Sequence, residues 1–435
     1  NRNMAEKFDA IVVGAGPAGN AAALVMARAG LKVLQLERGE YPGSKNVQGA
    51  ILYADALERV IPNCRRQAPL ERPVIEQRMW VLDDETYVGS TYRGVRKKDD
   101  PPTRYTVVRA NIDRWMSKKV TDAGVLLICE ATVLDLIQQD GKVVGVRTDR
   151  AGGDILADVV VLADGANSLV ATRAGLRPDI KAAEVALAVK EMHFLPKEVI
   201  EQRFNIGNDE GVVIEMFGKI TKGMMGTAFL YTNRDSIALG IGCMVGDFKK
   251  AGIPPYELLD AMKAHPAIKP LIAGSEVKEY AAHLIPEGGY KAIPQVHGDG
   301  WVITGDSGGF VNAVHREGSN LAMTTGRLAA ETIIALKEAG KPFTAPHLAA
   351  YRKALEESFV MKDLKKYKRM PDIFHANPQF FTTYPELLNR AADTIFRVDG
   401  VDKLSKEKAI SGEFVRRRSR LGLLGDAFKL VRSFR

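Results

Sequence analysis

The sequence has little cysteine. Its three cysteines, Cys64, Cys129 and Cys243, stand far apart among 435 residues, and no two of them form a C-x-x-C pair. Structural zinc sites and iron–sulfur clusters need closely spaced thiolates, so neither is expected within this chain and no metal site is predicted. The odd count and the wide spacing also fit a reducing compartment better than a disulfide framework.

Long apolar runs are also absent. No run approaches the roughly 18 residues that a membrane-spanning helix needs, and no charged-then-apolar leader precedes the first predicted strand. The composition, 46% hydrophobic and 26% charged, is typical of a globular protein, so we expect folding in the cytoplasm into two or three packed substructures. The net charge of +8 is concentrated towards the C-terminus, which favours an anionic surface or partner there over a nucleic-acid groove.

A dinucleotide-binding fingerprint stands near the start of the chain. Residues 8–13 read as a buried parallel strand, and Gly14, Gly16 and Gly19 then form G-x-G-x-x-G before a helix of small residues. The first glycine allows the tight turn, the second lets the backbone approach a pyrophosphate, and the third lets the helix pack on the strand. Glu37 ends the next strand and can accept a ribose hydroxyl. The pattern predicts an ADP-containing dinucleotide without choosing between FAD and NAD.

Three further signals follow in chain order. Residues 163–165, Ala-Asp-Gly, leave a second buried strand, residues 305–306, Gly-Asp, leave a third, and a helix of small residues begins at Gly318. The loop at 41–53 can reach a bound cofactor, although an ordinary solvated loop explains its composition equally well. No second dinucleotide fingerprint is found, because the glycines of residues 240–246 have the wrong spacing, so direct nicotinamide binding is disfavoured.

Alternating apolar and polar residues predict antiparallel strands at 74–94 and 104–108, and a large antiparallel sheet from about residue 182 to 245. In this sheet Met224, Met225 and Phe229 can line an apolar channel for a substrate, although such residues on a strand are more often core.

The tail, residues 413–435, reads as a basic amphipathic helix. Leu421, Leu424, Phe428 and Val431 recur at helical spacing. Such a helix suits a membrane surface or a docking contact with another subunit, and both interpretations remain open. The basic residues around the apolar stripe are Arg416, Arg417, Arg418, Arg420, Lys429, Arg432 and Arg435.

The order of these signals resembles that of glutathione-reductase-type FAD proteins, particularly the branch with aromatic hydroxylases, geranylgeranyl reductases and electron-transfer-flavoprotein:quinone oxidoreductases. The stretches at 43–50, 284–294 and 303–326 are similar to the FixC branch of these quinone oxidoreductases, and the similarity runs through about residues 5 to 430. The resemblance implies an α/β fold, in which a glutathione-reductase-type FAD-binding Rossmann domain is interleaved with an antiparallel-sheet quinone domain, plus a helical C-terminal region. The implied FAD-binding parts are residues 5–73, 109–180 and 291–345, the substrate parts are 74–108 and 181–290, and the helical region is 346–435.

By this resemblance the flavin carries the chemistry and no catalytic side chain is predicted. Asp306 is expected to bind a ribityl hydroxyl, and the helix from Gly318 is expected to point its N-terminus at the flavin N1/O2 edge, stabilising anionic reduced flavin. The predicted FAD contacts are Gly14, Gly16, Pro17, Ala18, Gly19, Glu37, Arg38, Lys45, Asn46, Val47, Gln48, Gly49, Arg109, Thr132, Val133, Ala163, Asp164, Gly165, Gly305, Asp306, Gly318, Ser319 and Asn320.

The resemblance also implies partners. An electron-transfer flavoprotein would deliver electrons, a small ferredoxin-like subunit would carry the iron–sulfur cluster, and a quinone would accept the electrons at the inner face of the cell membrane. Single-chain quinone oxidoreductases carry a four-cysteine iron–sulfur domain at the C-terminus, whereas this chain has no cysteine after Cys243. Two alternatives stay open: a geranylgeranyl-reductase-like or hydroxylase-like activity on a lipid or aromatic substrate, and a non-catalytic FAD-bearing assembly subunit. Electron bifurcation in the partner complex is also left open.

Overall fold

A computed structural model describes residues 7–45, 49–94 and 99–435. The strands are β1 Lys7–Val13, β2 Val33–Leu36, β3 Gly49–Tyr53, β4 Val74–Leu82, β5 Tyr87–Arg93, β6 Arg104–Val108, β7 Leu126–Ile128, β8 Val133–Gln139, β9 Lys142–Thr148, β10 Asp154–Leu162, β11 Val185–Phe194, β12 Gly211–Gly218, β13 Gly226–Thr232, β14 Ser236–Met244, β15 Glu276–Pro286, β16 His297–Gly298 and β17 Trp301–Ile303.

The helices stand between groups of these strands up to β17 and then fill the rest of the chain. They are α1 Pro17–Arg28, α2 Ala54–Val60, α3 Cys64–Gln67, α4 Arg109–Asp122, α5 Leu169–Arg173, α6 Lys197–Phe204, α7 Val245–Ala251, α8 Pro255–Ala264, α9 Lys269–Ile272, α10 Ser319–Glu338, α11 Ala345–Glu357, α12 Phe359–Lys366, α13 Met370–His375, α14 Thr383–Phe396, α15 Lys403–Arg417 and α16 Arg420–Ser433. None of the described helices combines the length and the apolar character that crossing a bilayer requires.

The chain divides into two compact units, each assembled from three separated segments. Unit 1 takes 1–71, 103–184 and 284–365, and unit 2 takes 72–102, 185–283 and 366–435. The helical region predicted as one block from residue 346 is thus divided at 365. The physical reason is burial: Leu348, Tyr351 and Leu355 of α11 are fully buried in the same hydrophobic cluster as α1.

Unit 1 is built on a largely parallel sheet with the order β16-β17-β10-β1-β2-β7, to which β9 and then β8 add through β10. Strand β1 lies in the centre and pairs in parallel with both β10 and β2. A small antiparallel pair, β3 with β6, belongs to the same unit. The sequence analysis put β6 in the substrate part, but Val107 of β6 is 1% exposed within the core of unit 1.

Unit 2 is a seven-stranded sheet with the order β15-β11-β14-β13-β12-β4-β5. Strands β11, β14, β13 and β12 pair antiparallel in that order, β12 and β4 run in parallel, and β4 and β5 pair antiparallel. One face packs against α6 and α8, where Val212, Leu230 and Leu239 are fully buried together with Phe204. The large antiparallel sheet predicted for residues 182–245 corresponds to β11–β14.

The C-terminal helices of unit 2 are held by two carboxylates. Glu386 of α14 accepts two hydrogen bonds from Arg417, at 3.0 and 3.2 Å, which lower the pKa of Glu386 to about 2. Burial would raise the pKa of Asp426 in α16, but hydrogen bonds from Arg418 at 2.7 and 2.8 Å and from Tyr384 at 2.6 Å lower it to about 2. These contacts break the predicted single tail helix, since α15 ends at Arg417 and the Ser419 hydroxyl caps α16.

Arg72 is the largest of the side chains that are fully buried. It lies just before β4, and its guanidinium donates to several backbone carbonyls. A carboxylate oxygen of Glu201 lies 3.7 Å from it. The acceptors are the carbonyl oxygens of Asn233 at 2.7 Å, Gly207 at 3.0 Å, Arg234 at 3.0 Å, Glu210 at 3.2 Å and Asn208 at 3.4 Å.

Replacing Arg72 should destabilise unit 2 selectively. In Arg72→Met the carbonyls lose their donors inside the protein, and we expect a loss of about 3–5 kcal/mol. Hydrogen exchange of peptides from β12 and β13 measures this loss. Arg416→Met, which removes an exposed cation 3.8 Å from Glu413, is the matched control and should cost less than about 0.5 kcal/mol. Unchanged protection in Arg72→Met would contradict the assignment.

Candidate functional site

At the turn between β1 and α1, the backbones of β1, α1 and the residue after β10 come into direct contact. Gly14 has φ +109°, and a Cβ there would lie 2.2 Å from the Ala163 carbonyl oxygen. A Cβ on Gly19 would lie 2.1 Å from the Gly14 oxygen, whereas one on Gly16 would meet nothing within 4 Å. No side chain caps α1, and Pro17 stands in its first turn. This combination of a closed turn and an open helix end suits a phosphate group.

Glu37 is held beside this turn by two backbone hydrogen bonds. Its carboxylate accepts from the Ala15 N–H at 3.0 Å and from the Gly39 N–H at 2.8 Å. The Glu37 carbonyl in turn accepts from the Ala131 N–H at 3.0 Å, which brings the predicted contacts Thr132 and Val133 into the same corner. Predicted Arg38 and Lys45 are exposed and Gly49 begins β3, while Asn46, Val47 and Gln48 lie outside the described residues.

Two polar side chains that the sequence analysis missed donate hydrogen bonds to carbonyl oxygens of this turn. Gln35 and Asn20 are fully buried, and Gln35 Nε2 donates to the Gly14 oxygen at 3.0 Å and to Asn20 Oδ1 at 2.9 Å. Asn20 Nδ2 donates to the Ala15 oxygen at 3.2 Å. The available signal was a glutamine inside the otherwise apolar strand β2, since an amide is buried only where it finds partners.

The Asp164 turn supplies an unsatisfied acceptor. Asp164 Oδ2 accepts from the Val170 N–H at 3.2 Å, but Oδ1 is buried and has no hydrogen-bond partner within the described ranges. Burial raises the pKa of this carboxyl, opposed by the backbone N–H groups of Val170 and Asp164, the Ser307 hydroxyl and the positive charge of Arg177. Gly165 has φ +87° and an open Cβ position. A ligand hydroxyl could satisfy this oxygen, so the turn fits a sugar or ribityl group.

The Gly305–Asp306 turn lies where α1 and α10 meet. Gly305 has φ +59°, its N–H donates to Thr325 Oγ1 at 2.9 Å, and a Cβ there would lie 2.7 Å from the Ala18 Cβ. Predicted Arg109 makes two 3.2 Å hydrogen bonds to Asp113. Burial would lower the pKa of the Arg109 guanidinium, but Asp113 and Asp306 raise it, so a positive charge stays fixed at this turn.

The start of α10 is preceded by a strained loop. Asn312 and Glu317 form a β-bridge, and between them Arg316 has φ +56°, a rare conformation for a residue with a side chain. The Arg316 carbonyl accepts from the Tyr53 hydroxyl at 3.2 Å. Glu317 Oε1 accepts from Asn320 Nδ2 at 2.9 Å, which leaves the buried Asn320 Oδ1 without a partner in the described structure. Gly318 precedes α10 without a capping side chain, and the Ser319 hydroxyl donates to the Ile51 oxygen at 3.4 Å.

Glu287 is a titratable group that the sequence analysis did not select. It follows β15, and its N–H donates to the Glu184 oxygen at 2.8 Å. Burial raises the pKa of the Glu287 carboxyl to about 7, although the positive charge of Arg316 opposes the shift. The carboxyl therefore exchanges a proton near neutral pH on the same side of unit 1 as the Arg316 loop.

The predicted substrate residues are not brought together. Met224 is 4% exposed in the core on the helix-covered side of the unit 2 sheet, and the Met225 N–H donates to Asp247 at 2.8 Å. Phe229 stacks on Tyr231 at 4.5 Å, and the Lys190 ammonium lies 5.3 Å from its ring centre. Because strand residues alternate in direction and Leu230 packs with the helix-side core, Phe229 faces the opposite side from Met224.

The raised pKa of Glu287 predicts a pH dependence of stability. The folded protein keeps a proton that the unfolded chain, with an ordinary pKa of 4.5, has already released, so this group lowers stability as pH rises from about 4.5 to about 7. Glu287→Gln should gain up to about 3 kcal/mol over the parent between pH 5 and 8, at about 1.4 kcal/mol per pKa unit. Urea unfolding at both pH values measures the gain. Glu287→Asp, which remains titratable, should keep the parent's pH dependence; a parallel pH course for Glu287→Gln and the parent would disprove the shift.

Comparison with known proteins shows which cofactor the chain's family uses. Residues 7–223 match the FAD binding domain family and residues 370–435 match the ETF-QO/FixC family C-terminal domain. In fold, the chain resembles a geranylgeranyl bacteriochlorophyll reductase-like protein of Thermoplasma acidophilum, with a TM-score of 0.73 at 18% identity over 94% of this chain and 96% of that one. It also resembles the flavin-dependent brominase Bmp2, with a TM-score of 0.64 at 19% identity over 95% of this chain and 100% of that one. The predicted cofactor FAD and the α/β FAD-binding fold with its helical C-terminal region are confirmed.

Full-length relatives give the family. Protein FixC of Azotobacter vinelandii is 64% identical over 430 residues, 99% of this chain and 100% of that protein. The probable electron transfer flavoprotein-quinone oxidoreductase YdiS of Escherichia coli K12 is 41% identical over 429 residues, 98% of both chains. The chain therefore belongs to the FixC family of FAD-dependent oxidoreductases.

Proposed function

We propose that this protein is the FAD-containing subunit of an electron-transfer-flavoprotein:quinone oxidoreductase complex, which takes electrons from a partner flavoprotein and passes them to a membrane quinone. The observation that carries this proposal is the full-length similarity to FixC proteins and to a probable quinone oxidoreductase. The sequence also contains a single dinucleotide fingerprint, which disfavours direct binding of a nicotinamide cofactor beside FAD. No cluster of potential metal ligands exists among the described residues. An iron–sulfur relay, if used, would then belong to a separate ferredoxin-like subunit.

In this proposal unit 1 holds FAD in a glutathione-reductase-type arrangement. The open end of α1 at Gly16 takes the pyrophosphate, and Glu37 takes the adenosine ribose. Asp164 and Asp306 accept hydrogen bonds from hydroxyl groups of the ribityl chain and of the sugar next to it. Bound FAD supplies the two-electron chemistry.

The loop before α10 would lie against the flavin ring, the reactive part of the cofactor. The first N–H groups of α10 carry the positive end of the helix dipole, which stabilises negative charge placed against Gly318. The orphaned Asn320 Oδ1 is an acceptor for a cofactor N–H group. Reduction of a quinone also consumes protons, and Glu287 can hold one near neutral pH.

The exposed face of α16 supports attachment to a membrane surface, where quinones reside. Leu421, Leu424 and Phe428 are 83%, 69% and 67% exposed. Of the seven basic residues predicted to surround this stripe, Arg417, Arg418 and Lys429 pair with carboxylates inside unit 2. Arg416 also lies 3.8 Å from Glu413, so the attraction to anionic lipid would come from the exposed Arg420, Arg432 and Arg435.

The glycines predict separable effects on cofactor binding. Gly16→Val should fold but bind FAD at least tenfold more weakly, because the new side chain occupies only the space left for the pyrophosphate. Gly19→Val should lose folded protein itself, because its Cβ would overlap the Gly14 oxygen. Circular dichroism of the apoprotein and the FAD-to-protein ratio separate the two outcomes. Equal FAD content in Gly16→Val and the parent would overturn the phosphate assignment.

Anaerobic stopped-flow spectroscopy tests the electron route. The bound flavin should be reduced by a reduced electron-transfer flavoprotein and reoxidised by a short-chain quinone, and NADH should reduce it poorly. Rapid stoichiometric reduction by NADH, or NADPH-dependent turnover of a geranylgeranyl substrate, would contradict the proposal.

Flotation with anionic liposomes tests the α16 surface. Neutralising Arg420, Arg432 and Arg435 to Gln should weaken binding about a hundredfold, since each cation contributes about 1 kcal/mol near an anionic leaflet. Lys249→Gln with Lys250→Gln, which neutralises two exposed cations of α7 elsewhere in unit 2, is the control. If the chain shortened before Arg420 still floats, the tail is not the membrane contact.

A further inference from the structure

A hydrogen-bonded series of three side chains lies within unit 2 and includes none of the residues assigned to FAD. Glu191 and His193 stand two residues apart on β11, so both side chains point to the same side of the sheet. His193 Nε2 lies 3.0 Å from Glu191 Oε2, and His193 Nδ1 lies 2.9 Å from Ser275 Oγ. A carboxylate, an imidazole and a serine hydroxyl are therefore in contact in that order.

The carboxylate determines which nitrogen of the imidazole carries the proton. A carboxylate only accepts hydrogen bonds, so the Nε2 that faces Glu191 is the protonated one. The Nδ1 of a neutral ring is then an acceptor, and the Ser275 hydroxyl donates to it. Burial lowers the pKa of His193, and the positive charge of Lys263 lowers it further, although Glu191 opposes both effects. The imidazole is therefore neutral near pH 7 and can take a proton from the hydroxyl.

The acid and the base are fixed in place by an ion pair and by burial. Lys263 of α8 lies 3.0 and 3.2 Å from the two carboxylate oxygens of Glu191 and 3.4 Å from Asp260. Glu191 and His193 are 9% and 2% exposed, so bulk water has little access to the hydrogen bond between them. Both groups are thus positioned by the protein itself, as general-base activation of a hydroxyl requires.

Ser275 is the member of the series that reaches solvent. It lies between α9 and β15 and is half-buried, while Gly274 and Glu276 on either side of it are exposed. Its own N–H donates to the Ile272 carbonyl at 3.1 Å, and Gly274 has φ +75°. Within the described ranges the N–H groups of Ala273 and Gly274 donate to no backbone carbonyl, so they are available to a negatively charged oxygen.

A second histidine of unit 2 shows how a purely structural imidazole is bonded. His265 is 7% exposed, its Nε2 lies 2.8 Å from the Asp83 carbonyl oxygen, and its Nδ1 accepts from the Ala267 N–H at 3.0 Å. Both of its nitrogens therefore meet backbone groups. His193 instead meets an acid on one side and a partly accessible hydroxyl on the other, which is the order of groups found in serine hydrolases.

We propose that Ser275 is the nucleophile of an acyl-transfer site that accepts small carboxylic esters. Ser275 Oγ attacks the ester carbonyl carbon, and the hydroxyl proton passes to His193 Nδ1. The bond to the leaving oxygen then breaks, that oxygen takes the proton from His193 and departs as an alcohol, and the acyl group stays on Ser275. A water molecule, deprotonated by His193 in the same way, releases the carboxylic acid and restores the serine. No electrons are exchanged, so this site is independent of the electron route proposed above.

Labelling with diisopropyl fluorophosphate, which reacts with activated serines, tests the nucleophile directly. The FAD-loaded protein should gain one adduct per chain, and mass spectrometry of its peptides should place the adduct on Ser275. His193→Gln, which keeps an amide donor but has no basic nitrogen, should slow the labelling at least a hundredfold. Ser358→Ala is the matched control, because the Ser358 hydroxyl donates to the Leu355 carbonyl at 2.7 Å, and it should leave the labelling rate unchanged.

Hydrolysis of p-nitrophenyl acetate gives a second readout, on the parent chain itself. A burst of about one equivalent of nitrophenolate per chain should accompany the appearance of an acetyl group on Ser275. Ser275→Ala should lose the burst and keep the FAD content of the parent. A parent chain whose Ser275 stays unmodified by one or both reagents overturns the proposal. So does equal labelling of the parent and of His193→Gln, or a burst that persists in Ser275→Ala.

Discussion

The site in unit 1 depends on backbone contacts too close to admit a Cβ atom. Gly14 meets the Ala163 oxygen, Gly19 meets the Gly14 oxygen, and Gly326 meets the Ala18 oxygen, with hypothetical Cβ distances of 2.1 to 2.3 Å. These three contacts join β1, α1, the end of β10 and α10. Segments that are more than 300 residues apart in the chain thereby meet around one helix N-terminus, which is where the dinucleotide is proposed to bind.

Polar groups then give this space its chemistry. Gln35 and Asn20 donate hydrogen bonds to the carbonyl oxygens of the turn. The Ala15 and Gly39 N–H groups orient the Glu37 carboxylate without the help of a ligand. Two buried polar atoms without a protein partner among the described residues, at Asp164 and Asn320, are acceptors that a ligand could satisfy. The proposed cofactor site thus combines close contacts within its own chain with open acceptors where FAD is proposed to lie.

The C-terminal helices show how one stretch of chain can present separate surfaces. Glu386 and Asp426 draw part of the basic tail into internal ion pairs, and the cations that remain exposed stand near the apolar stripe of α16. At the connection between α14 and α15, a buried lysine, Lys406, pairs with Asp399 beside exposed apolar side chains.

The sequence alone determined the strand-turn-helix at residues 8–28, the acidic end of β2, the sheet of unit 2 and, through resemblance, FAD. These features follow from local rules: glycines where the backbone must turn or approach closely, and apolar residues at the period of a strand or helix. Only the tertiary structure assigned β6 and α11 to unit 1, separated Met224 from Phe229, broke the tail at Ser419, and revealed Gln35 and Glu287. Those outcomes depend on which distant side chain supplies a hydrogen bond, a counter-charge or a covering surface, and the order of residues along one segment does not contain that information.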